Sequence, residues 1–368
     1  MNQNTDRVLA WLGLSSIPGV GRVTFRKLTN QFGSPERALA ASSDELHAIS
    51  GLSDKVINEL CSSSWRTFAE QEYERAVQAG VNIVLFDDPA YPDRLRHIPD
   101  APLYLYVKGT LLPDDGRAVA VVGTRNPTHY GKTMTNQIAS DLASAGFTVV
   151  SGMARGIDTE AHKGALAAHG RTIAVLGSGI DVPYPPENKG LMDEIVRQGA
   201  VVTENPFGTM PEAGYFPGRN RIISGLAQGT VIVEAAADSG SLITAKYALE
   251  QGRRLYSVPG YVASPVSKGT NSLIRQGAML VESAADILQD LGISGSSGVQ
   301  SAGTRPLPPL SREEEAVFNC ITLEPKHIDS IQNECRSTAG MLSGVLITLE
   351  LKGLAKQLPG KYYIREVI

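Results

Sequence analysis

Glycines and arginines follow two apolar segments in the middle of the chain, at the points where those segments end. Gly123, Thr124 and Arg125 come directly after the run Ala118–Val122. Gly152 and Arg155 belong to the loop that follows Thr148–Ser151. Glycine lets the backbone approach a ligand, threonine offers a hydroxyl, and arginine offers a planar fork of N–H donors. These groups bind phosphate, so both loops are candidate anion sites.

Two further segments carry the same chemistry. A turn of three small residues precedes the helical stretch 242–251, where exposed amides at a helix start can bind an anion; it consists of Ser239, Gly240 and Ser241. The second segment combines an aromatic ring with planar polar side chains, namely Phe216, Arg219, Asn220 and Arg221. Such a ring can stack on a base while the arginines hold phosphate, although a solvated charge pair before a helix is the simpler alternative.

Apolar runs and amphipathic stretches alternate through this region and predict the elements that position these loops. Strands are predicted at 118–122, 148–151, 172–176, 200–203, 230–234, 255–258 and 278–281, and helices at 130–145, 159–169, 187–198 and 242–251. The spacing is that of strand-plus-crossover-helix units, and it predicts a Rossmann-like, doubly wound, mostly parallel sheet. Ligands of such sheets bind beyond the carboxyl ends of the strands. A single glycine loop can be only a tight turn, but several on one rim favour an anion-binding cleft.

Composition divides the 368-residue chain into four parts. Residues 1–80 are predicted to be helical, 81–291 form the α/β region, and 311–368 are long enough for a small domain. Residues 292–310 are rich in Gly, Ser and Pro and lack periodicity, which is typical of a flexible linker. The net charge of −4 disfavours a wholly basic surface but allows a local basic cleft.

Motifs for common enzyme chemistry are absent. The chain has no G-x-G-x-x-G fingerprint with an acidic partner after the first predicted strand, no G-x-x-x-x-G-K-[ST] and no G-x-S-x-G. These absences lead us to expect no cofactor. His162 and His169 lack the spacing of metal ligands, so we expect no metal either. Glu234 is the best candidate for a general base. We prefer to interpret it as a carboxylate that orders neighbouring Arg or Asn side chains, because no nucleophile is evident.

The remaining whole-chain features concern the compartment. Cys61, Cys320 and Cys335 are scattered, which disfavours a disulfide framework or a zinc site and suits a reducing cytoplasm. No apolar segment follows a basic start, as it would in a signal peptide, and no apolar run is long enough to cross a bilayer. We therefore expect a cytoplasmic protein that does not bind membranes.

Taken in order, these segments resemble the DNA-processing protein A family (DprA, also called Smf). The resemblance rests on VVGTR at 121–125, VSGMARGID at 150–158, AH at 161–162, YP at 184–185, FPGRNRII at 216–223, EA at 234–235, SGSLITA at 239–245, VPG at 258–260 and KGTNSLI at 268–274. It covers about half of the chain. Many relatives have Gly-Ser-Arg where this chain has Gly-Thr-Arg, and this difference keeps the hydroxyl.

The resemblance implies a single-stranded-DNA-binding protein that dimerises through its Rossmann-like domain. It also implies that the protein loads the RecA recombinase onto incoming DNA during natural transformation, past the single-strand-binding protein. Family roles in phosphate binding fall on Gly123, Thr124, Arg125, Gly152, Arg219, Asn220 and Arg221, with Ser239, Gly240 and Ser241 as further lining residues. For the dimer contact we expect the apolar side chains of Leu273, Ile274 and Leu280.

The flanking regions resemble two small nucleic-acid-binding modules. Residues 16–21 resemble the hairpin of a helix-hairpin-helix (SAM-like) domain, with a degenerate copy at 49–53. Such a hairpin can bind a phosphate, but few cations surround it (Arg22, Arg26 and Lys27), so a packing role is the alternative. At the C-terminus, a Pro-Gly turn at 359–360 predicts the wing of a winged helix. The preceding helical stretch, 337–353, is nearly uncharged, which favours contact with protein over DNA.

Two alternatives from other functional classes remain at this point. One is an enzyme similar to the nucleoside-monophosphate phosphoribohydrolases, although their Pro-Gly-Gly-x-Gly-Thr-x-x-Glu segment is missing here. The other is a sensor of a nucleotide-derived signal, which would use the same pocket. A preference for oligonucleotide over nucleotide distinguishes the DNA-binding hypothesis from both.

Overall fold

The helices and strands follow one another in three units along the chain. The structure, a computed structural model, describes residues 3–293, 308–322 and 325–365. The linker predicted at 292–310 therefore lies, for residues 294–307, outside the described residues. Within the described ranges no helix is long and apolar enough to span a membrane.

The first unit is helical and contains two hairpin turns at the predicted positions. Its helices are α1 (Gln3–Ser16), α2 (Arg22–Phe32), α3 (Pro35–Leu39), α4 (Ser43–His47), α5 (Asp54–Cys61) and α6 (Ser64–Gln78). The turn between α1 and α2 needs Gly19, whose φ of 93° is a left-handed conformation that other residues rarely adopt. Leu12, Leu14, Phe25 and Leu28 are fully buried beneath these turns. The predicted tandem helix-hairpin-helix architecture is confirmed.

The second unit is built on one large sheet. Its strands are β1 (Asn82–Leu85), β2 (Tyr104–Gly109), β3 (Ala118–Val122), β4 (Thr148–Ser151), β5 (Thr172–Val175), β6 (Ala200–Thr203), β7 (Gly229–Ile232), β8 (Arg254–Ser257) and β9 (Met279–Leu280). They lie in the order β1-β2-β6-β5-β4-β3-β7-β8-β9. The strands from β6 to β9 along this order are parallel, whereas β2 is antiparallel to both β1 and β6.

Helices cover both faces of this sheet. They are α7 (Asp93–Arg96), α8 (His129–Ser144), α9 (Ile157–Ala167), α10 (Lys189–Gln198), α11 (Tyr215–Leu226), α12 (Ser241–Glu250), α13 (Lys268–Arg275) and α14 (Ala284–Asp290). Two apolar layers, one on each face, bury the continuously apolar strands, as expected for a doubly wound sheet. β3 and β7 are parallel neighbours, but from β3 to β6 successive strands are added on one side of β3, and from β7 to β9 they are added on the other side. This change of strand order is the switch point at which such sheets bind ligands. The Rossmann-like prediction is confirmed, with β1 and β2 as an antiparallel extension that the sequence patterns did not predict.

The third unit has the arrangement of a winged helix. It consists of α15 (Arg312–Cys320), β10 (Lys326–His327), α16 (Ile328–Cys335), α17 (Ala339–Leu351), β11 (Ala355–Leu358) and β12 (Tyr362–Arg365). The strands form a sheet in the order β10-β12-β11, and the predicted Pro-Gly turn joins β11 to β12. Leu342, Leu346 and Leu349 on one side of α17 are fully buried in its core. This prediction is also confirmed.

A buried carboxylate joins the helical unit to the sheet. Glu72 on α6 accepts hydrogen bonds from the Tyr106 hydroxyl on β2 (2.8 Å) and from the backbone N–H of Phe207 (3.1 Å). The side chain is almost completely buried, and the Tyr106 ring packs edge-on against the Phe207 ring. A buried charge is tolerated only when hydrogen-bond partners surround it. Glu72 therefore fixes how the helical unit packs against β2 and the loop after β6.

Removal of this carboxylate should loosen the contact between the two units. We expect Glu72→Ala to destabilise the chain by about 3 kcal/mol, since Tyr106 and Phe207 would keep buried donors without an acceptor. Urea unfolding followed by circular dichroism measures the change. The matched control is Glu74→Ala, an exposed position on the same helix, for which we expect a change below about 0.5 kcal/mol. Equal midpoints for the two variants would refute this role of Glu72.

Candidate functional site

A cleft of about 750 Å³ opens at the carboxyl ends of β3 and β7, at the switch point of the sheet. A smaller pocket adjoins it beyond the ends of β4 and β5. The predicted site residues that line the cleft are Gly123, Thr124, Arg125, Phe216, Arg219, Asn220, Ser239, Gly240 and Ser241, and the pocket adds Gly152 and Arg155. Segments far apart in the sequence thus meet on one rim, as the strand-end pattern predicted.

Arg219 lies under the rim rather than on it. Its Nη1 donates to the carbonyl oxygens of Val175 (2.7 Å) and Gly152, and its Nε donates to Asn220 Oδ1 (3.1 Å). Only 6% of the residue is exposed. The guanidinium therefore ties together the loops that follow β4 and β5, and it brings positive charge to the floor of the cleft.

Asp158 is the carboxylate that accompanies this buried cation. Its Oδ2 accepts from the backbone N–H groups of Gly152 (3.2 Å) and Ala154 (3.4 Å), which shapes the loop after β4. Burial raises the pKa of Asp158 and lowers that of Arg219, and in each case the attraction of the other group acts in the opposite direction. Gly152 lies between the two side chains. A Cβ there would be 2.7 Å from Asp158 Oδ2 and closer still to the Arg219 guanidinium.

The exposed Arg125 and the half-buried Phe216 form the outer part of the site. The Arg125 guanidinium lies over the Phe216 ring, 5.4 Å from its centroid, and the Arg219 guanidinium lies 5.8 Å from the same centroid. The Tyr184 ring approaches Phe216 with centroids 5.8 Å apart. Arg125 is exposed and forms no ion pair with any residue that the structure describes. Its charge is therefore available to an anion, next to two rings on which a planar group could stack.

The segment that carries Phe216 differs from its predicted conformation. Residues 216–221 are not a stretch before a helix but lie within the first turns of α11. Successive residues of a helix are about 100° apart, so side chains two positions apart point to opposite sides. Arg219 points into the site, whereas Arg221 points away from it.

The structure does not bring Arg221 to the cleft. Its side chain is buried and forms ion pairs with Glu204 (2.6 Å) and Asp100 (3.2 Å). Arg22, at the start of α2, pairs with the same two carboxylates. The cluster packs the first hairpin of the helical unit against the α/β unit. This cluster favours a packing role over phosphate binding for the hairpin at 16–21, because Arg22, the cation nearest to that hairpin, already forms ion pairs.

Acidic groups also border the site. Arg155 is exposed and forms an ion pair with Glu187, so its charge is partly neutralised. Asp238, beside the turn at 239–241, lines the cleft together with Asp158. Sequence patterns identified the arginines but not Tyr184, Glu187 or Asp238. Tyr184 could have been identified from the sequence as an aromatic residue next to a proline in a strand-end loop.

Glu234 orders the loop that carries Arg125. Its carboxylate accepts from the Thr128 hydroxyl (2.6 Å) and the Thr128 backbone N–H (2.9 Å), and its carbonyl oxygen accepts from the Thr124 N–H (2.7 Å). Gly131 makes room for this carboxylate, because a Cβ there would collide with it. The preferred interpretation of Glu234 as an ordering group stands, but the group that it orders is a threonine and not an Arg or Asn.

The residues expected at a dimer contact lie near the free edge of the sheet. Leu280 on the edge strand β9 is 44% exposed, and Leu273 and Ile274 on α13 are half-buried. Their role in dimerisation stays a prediction. Among the described residues there is no group of His, Cys, Asp or Glu side chains that could hold a metal ion.

Comparison with known families gives matches along most of the chain. Residues 82–292 match the model described as DNA recombination-mediator protein A. Residues 301–361 match a DprA winged helix domain, and residues 12–63 match a SAM-like helix-hairpin-helix tandem.

Individual relatives give the same result. The chain is 34% identical to Protein Smf of Synechocystis sp., with 96% of this chain and 98% of that protein covered. It is similar to the crystal structure of DprA from Streptococcus pneumoniae (TM-score 0.68, 33% identity, 79% of this chain and 99% of that chain). It is also similar to a structure of DNA processing protein A from Helicobacter pylori (TM-score 0.52, 31% identity, 57% and 95% covered). That study concerns the single-stranded DNA binding mode of the H. pylori protein.

The space at Gly152 gives a direct test of the buried framework. We expect Gly152→Ala to destabilise the chain by about 2 kcal/mol or more, because two hydrogen-bonded side chains occupy the position of the new methyl group. Gly190→Ala on α10 is the matched control. A Cβ there meets nothing within 4 Å, so that change should be neutral or stabilising by up to about 1 kcal/mol. Urea unfolding measures both, and a stable Gly152→Ala chain would rule out the close packing described.

The buried carboxylate of Glu234 should make stability depend on pH. Burial raises its pKa, against the hydrogen bonds from Thr128. The contribution of Glu234 to the free energy of unfolding is therefore fully present below the pKa of the unfolded state. It is lost as pH rises through the higher pKa of the folded state. The unfolding free energy of the wild type, minus that of Glu234→Gln, should fall from pH 4 to pH 8 by about 1.4 kcal/mol per unit of pKa elevation. Urea titrations at several pH values test this, and a difference that is constant or rises would contradict it.

Proposed function

The chain belongs to the DNA recombination-mediator protein A family, and on that premise we propose that it binds single-stranded DNA through the cleft lined by Arg125, Phe216 and Arg219. The observation that carries the proposal is the exposed Arg125 guanidinium, which has no acidic partner in the described chain and lies over the Phe216 ring. A cation and an aromatic face side by side fit a phosphate and its neighbouring base. Base stacking on aromatic rings is tolerant of sequence and needs an unpaired strand.

The backbone around the cleft supports a phosphate ligand. The loop at 123–125 and the turn at 239–241 face each other across the cleft, and the turn leads directly into α12. The start of a helix carries partial positive charge, which adds to that of Arg125 and Arg219. We propose that one phosphate lies between Arg125 and this turn, with the adjacent base near Phe216 and Tyr184.

The overall negative charge favours binding at this rim rather than over the whole surface. The whole chain carries a net charge of −4, and Asp158 and Asp238 border the cleft itself. A free, highly charged anion would meet these carboxylates at close range, whereas a strand can place its phosphates beside the arginines and its bases on the rings. We therefore favour an oligonucleotide over a mononucleotide as the ligand.

Family membership extends the proposal to the cellular role. We propose that a homodimer, formed through the region of Leu273, Ile274 and Leu280, aligns two clefts on one strand in the cytoplasm. The protein would then load the RecA recombinase onto the bound strand during natural transformation, past the single-strand-binding protein. In this proposal the protein binds DNA and catalyses no reaction.

Charge reversal at Arg125 tests the DNA site. We expect Arg125→Glu to weaken binding of fluorescein-labelled oligo(dT) at least about tenfold and to reduce the steepness of its salt dependence, because a phosphate contact would be lost. The matched control is Arg197→Glu, the same charge change at an exposed position on α10 that does not line the cleft. Fluorescence anisotropy at several salt concentrations measures both variants.

The control separates a local site from a general effect of charge. Equal weakening by the two substitutions would mean that only overall charge matters, and unchanged affinity of Arg125→Glu would refute the assignment. Competition with a nucleoside monophosphate completes the test. Displacement of oligo(dT) by stoichiometric mononucleotide would favour the nucleotide-binding alternatives.

A further inference from the structure

One face of α17 in the winged-helix unit is apolar and exposed. Ile347 is 58% exposed and Leu351 is 84% exposed, and Gly340 and Gly344 lie on the same side of the helix. The opposite side holds the buried leucines of the domain core. A helix with apolar residues all round normally has neighbours on more than one side. Within the described residues, this outer face contacts solvent.

The four exposed positions form a row with internal symmetry. Positions 340, 344, 347 and 351 are separated by four, three and four residues, which is the spacing of a helix–helix seam. Gly340 and Leu351 are equally distant from the point between 345 and 346, and so are Gly344 and Ile347. An antiparallel copy of the same helix, related by a twofold axis through that point, would therefore place each glycine opposite a large apolar side chain.

The space above the glycines fits this arrangement. A Cβ built on Gly340 or Gly344 meets nothing within 4 Å, so the helix surface is open at both positions. Leu351 and Ile347 of a second copy would fill these two openings. In a parallel pair, by contrast, glycine would meet glycine and leucine would meet leucine, which leaves gaps at one end and crowding at the other.

The polar neighbours of the row are compatible with burial. The Ser343 hydroxyl donates to the carbonyl oxygen of Ala339 (2.9 Å), and the Thr348 hydroxyl donates to that of Gly344 (3.0 Å). Both hydroxyl groups are therefore satisfied within their own helix. A partner helix could cover them without leaving a donor unpaired.

The charges of α17 are complementary to an antiparallel copy. The helix has no acidic residue in its first turn and no basic residue in its last turn, so neither end of its dipole is compensated by a charged side chain of its own. In the twofold arrangement Glu350 lies opposite Met341, and its carboxylate approaches the positively polarised first turn of the partner helix. The exposed row carries no cation, and Lys352 is bound to Glu314. The face therefore lacks the donors that DNA requires.

We propose that α17 pairs with α17 of a second copy of this chain, antiparallel and related by a twofold axis. The helix is about 20 Å long and a single contact stripe is about 10 Å wide, so the pair buries far less than the ~1,200 Å² of a stable dimer. The contact is thus too weak to hold two chains alone. It acts between copies that are already close together, where a high effective concentration makes a weak contact sufficient.

Disulfide crosslinking in the full chain tests the pairing and its direction. In a chain with Cys61, Cys320 and Cys335 replaced by alanine, Gly340→Cys and Leu351→Cys are made separately, with tags of different size. Mixing the two should give the cross-tag disulfide, because the two positions face each other. Gly340→Cys alone should not crosslink, since its two copies would lie about 16 Å apart along the helix axis, beyond the reach of a disulfide.

A second variant tests the fit of the seam. Gly344→Leu keeps the face apolar and favours the helix, but it fills the opening, so cross-tag disulfide formation should slow at least about tenfold. Gly190→Leu, the same change at an open helical position of α10, should leave the rate unchanged. Crosslinking of Gly340→Cys with itself, absence of the cross-tag product, or faster crosslinking with Gly344→Leu would each overturn the proposal. The last of these results would indicate nonspecific adhesion between apolar surfaces.

Discussion

The buried guanidinium of Arg219 is the interaction on which the candidate site depends. It hydrogen-bonds to the carbonyl oxygens of Val175 and Gly152, and these lie at the ends of two adjacent strands. Asp158 binds the amides of the same loop and balances the charge. Burying both charges is costly, and the cost is offset only when each is surrounded by partners. Gly152 lies between them because no larger residue fits, and Phe216 and Arg125 lie above them in positions that this framework supports.

The fold could be predicted from the sequence where one physical pattern dominated. The β-branched runs at 118–122, 148–151 and 200–203 predicted β3, β4 and β6 with their observed bounds, because strands buried on both faces must be continuously apolar. The edge strands of the large sheet were harder to predict. The last strand is shorter than predicted, with only Met279 and Leu280 paired, and β1 and β2 carry no strand-plus-helix spacing that would reveal an antiparallel extension.

The sequence predicted which residues form the site, but it did not predict the direction in which each side chain points. Eleven of the twelve predicted residues lie on one rim. The strand-end rule accounts for eight of them, because all parallel strands end on the same side, whereas Phe216, Arg219 and Asn220 reach the rim from α11. Arg221 is the exception, because its position depends on whether 216–221 is loop or helix, and no local pattern decided that. Once helical, Arg221 points toward Glu204 and Asp100, where it helps to anchor the first hairpin. The partners of Arg155 and Arg22 likewise come from distant segments that a single sequence does not connect.

Photocrosslinking of a single-stranded oligonucleotide containing 5-iodouracil, followed by mass spectrometry of the crosslinked peptides, tests the central claim most directly. A base stacked beside the phosphate site would react with the nearest aromatic ring. The account predicts that the full chain crosslinks at Phe216 or Tyr184, and that excess unlabelled oligo(dT) suppresses the product. Crosslinks confined to the hairpin at 16–21 or to the winged-helix unit, with none in the cleft, would contradict it.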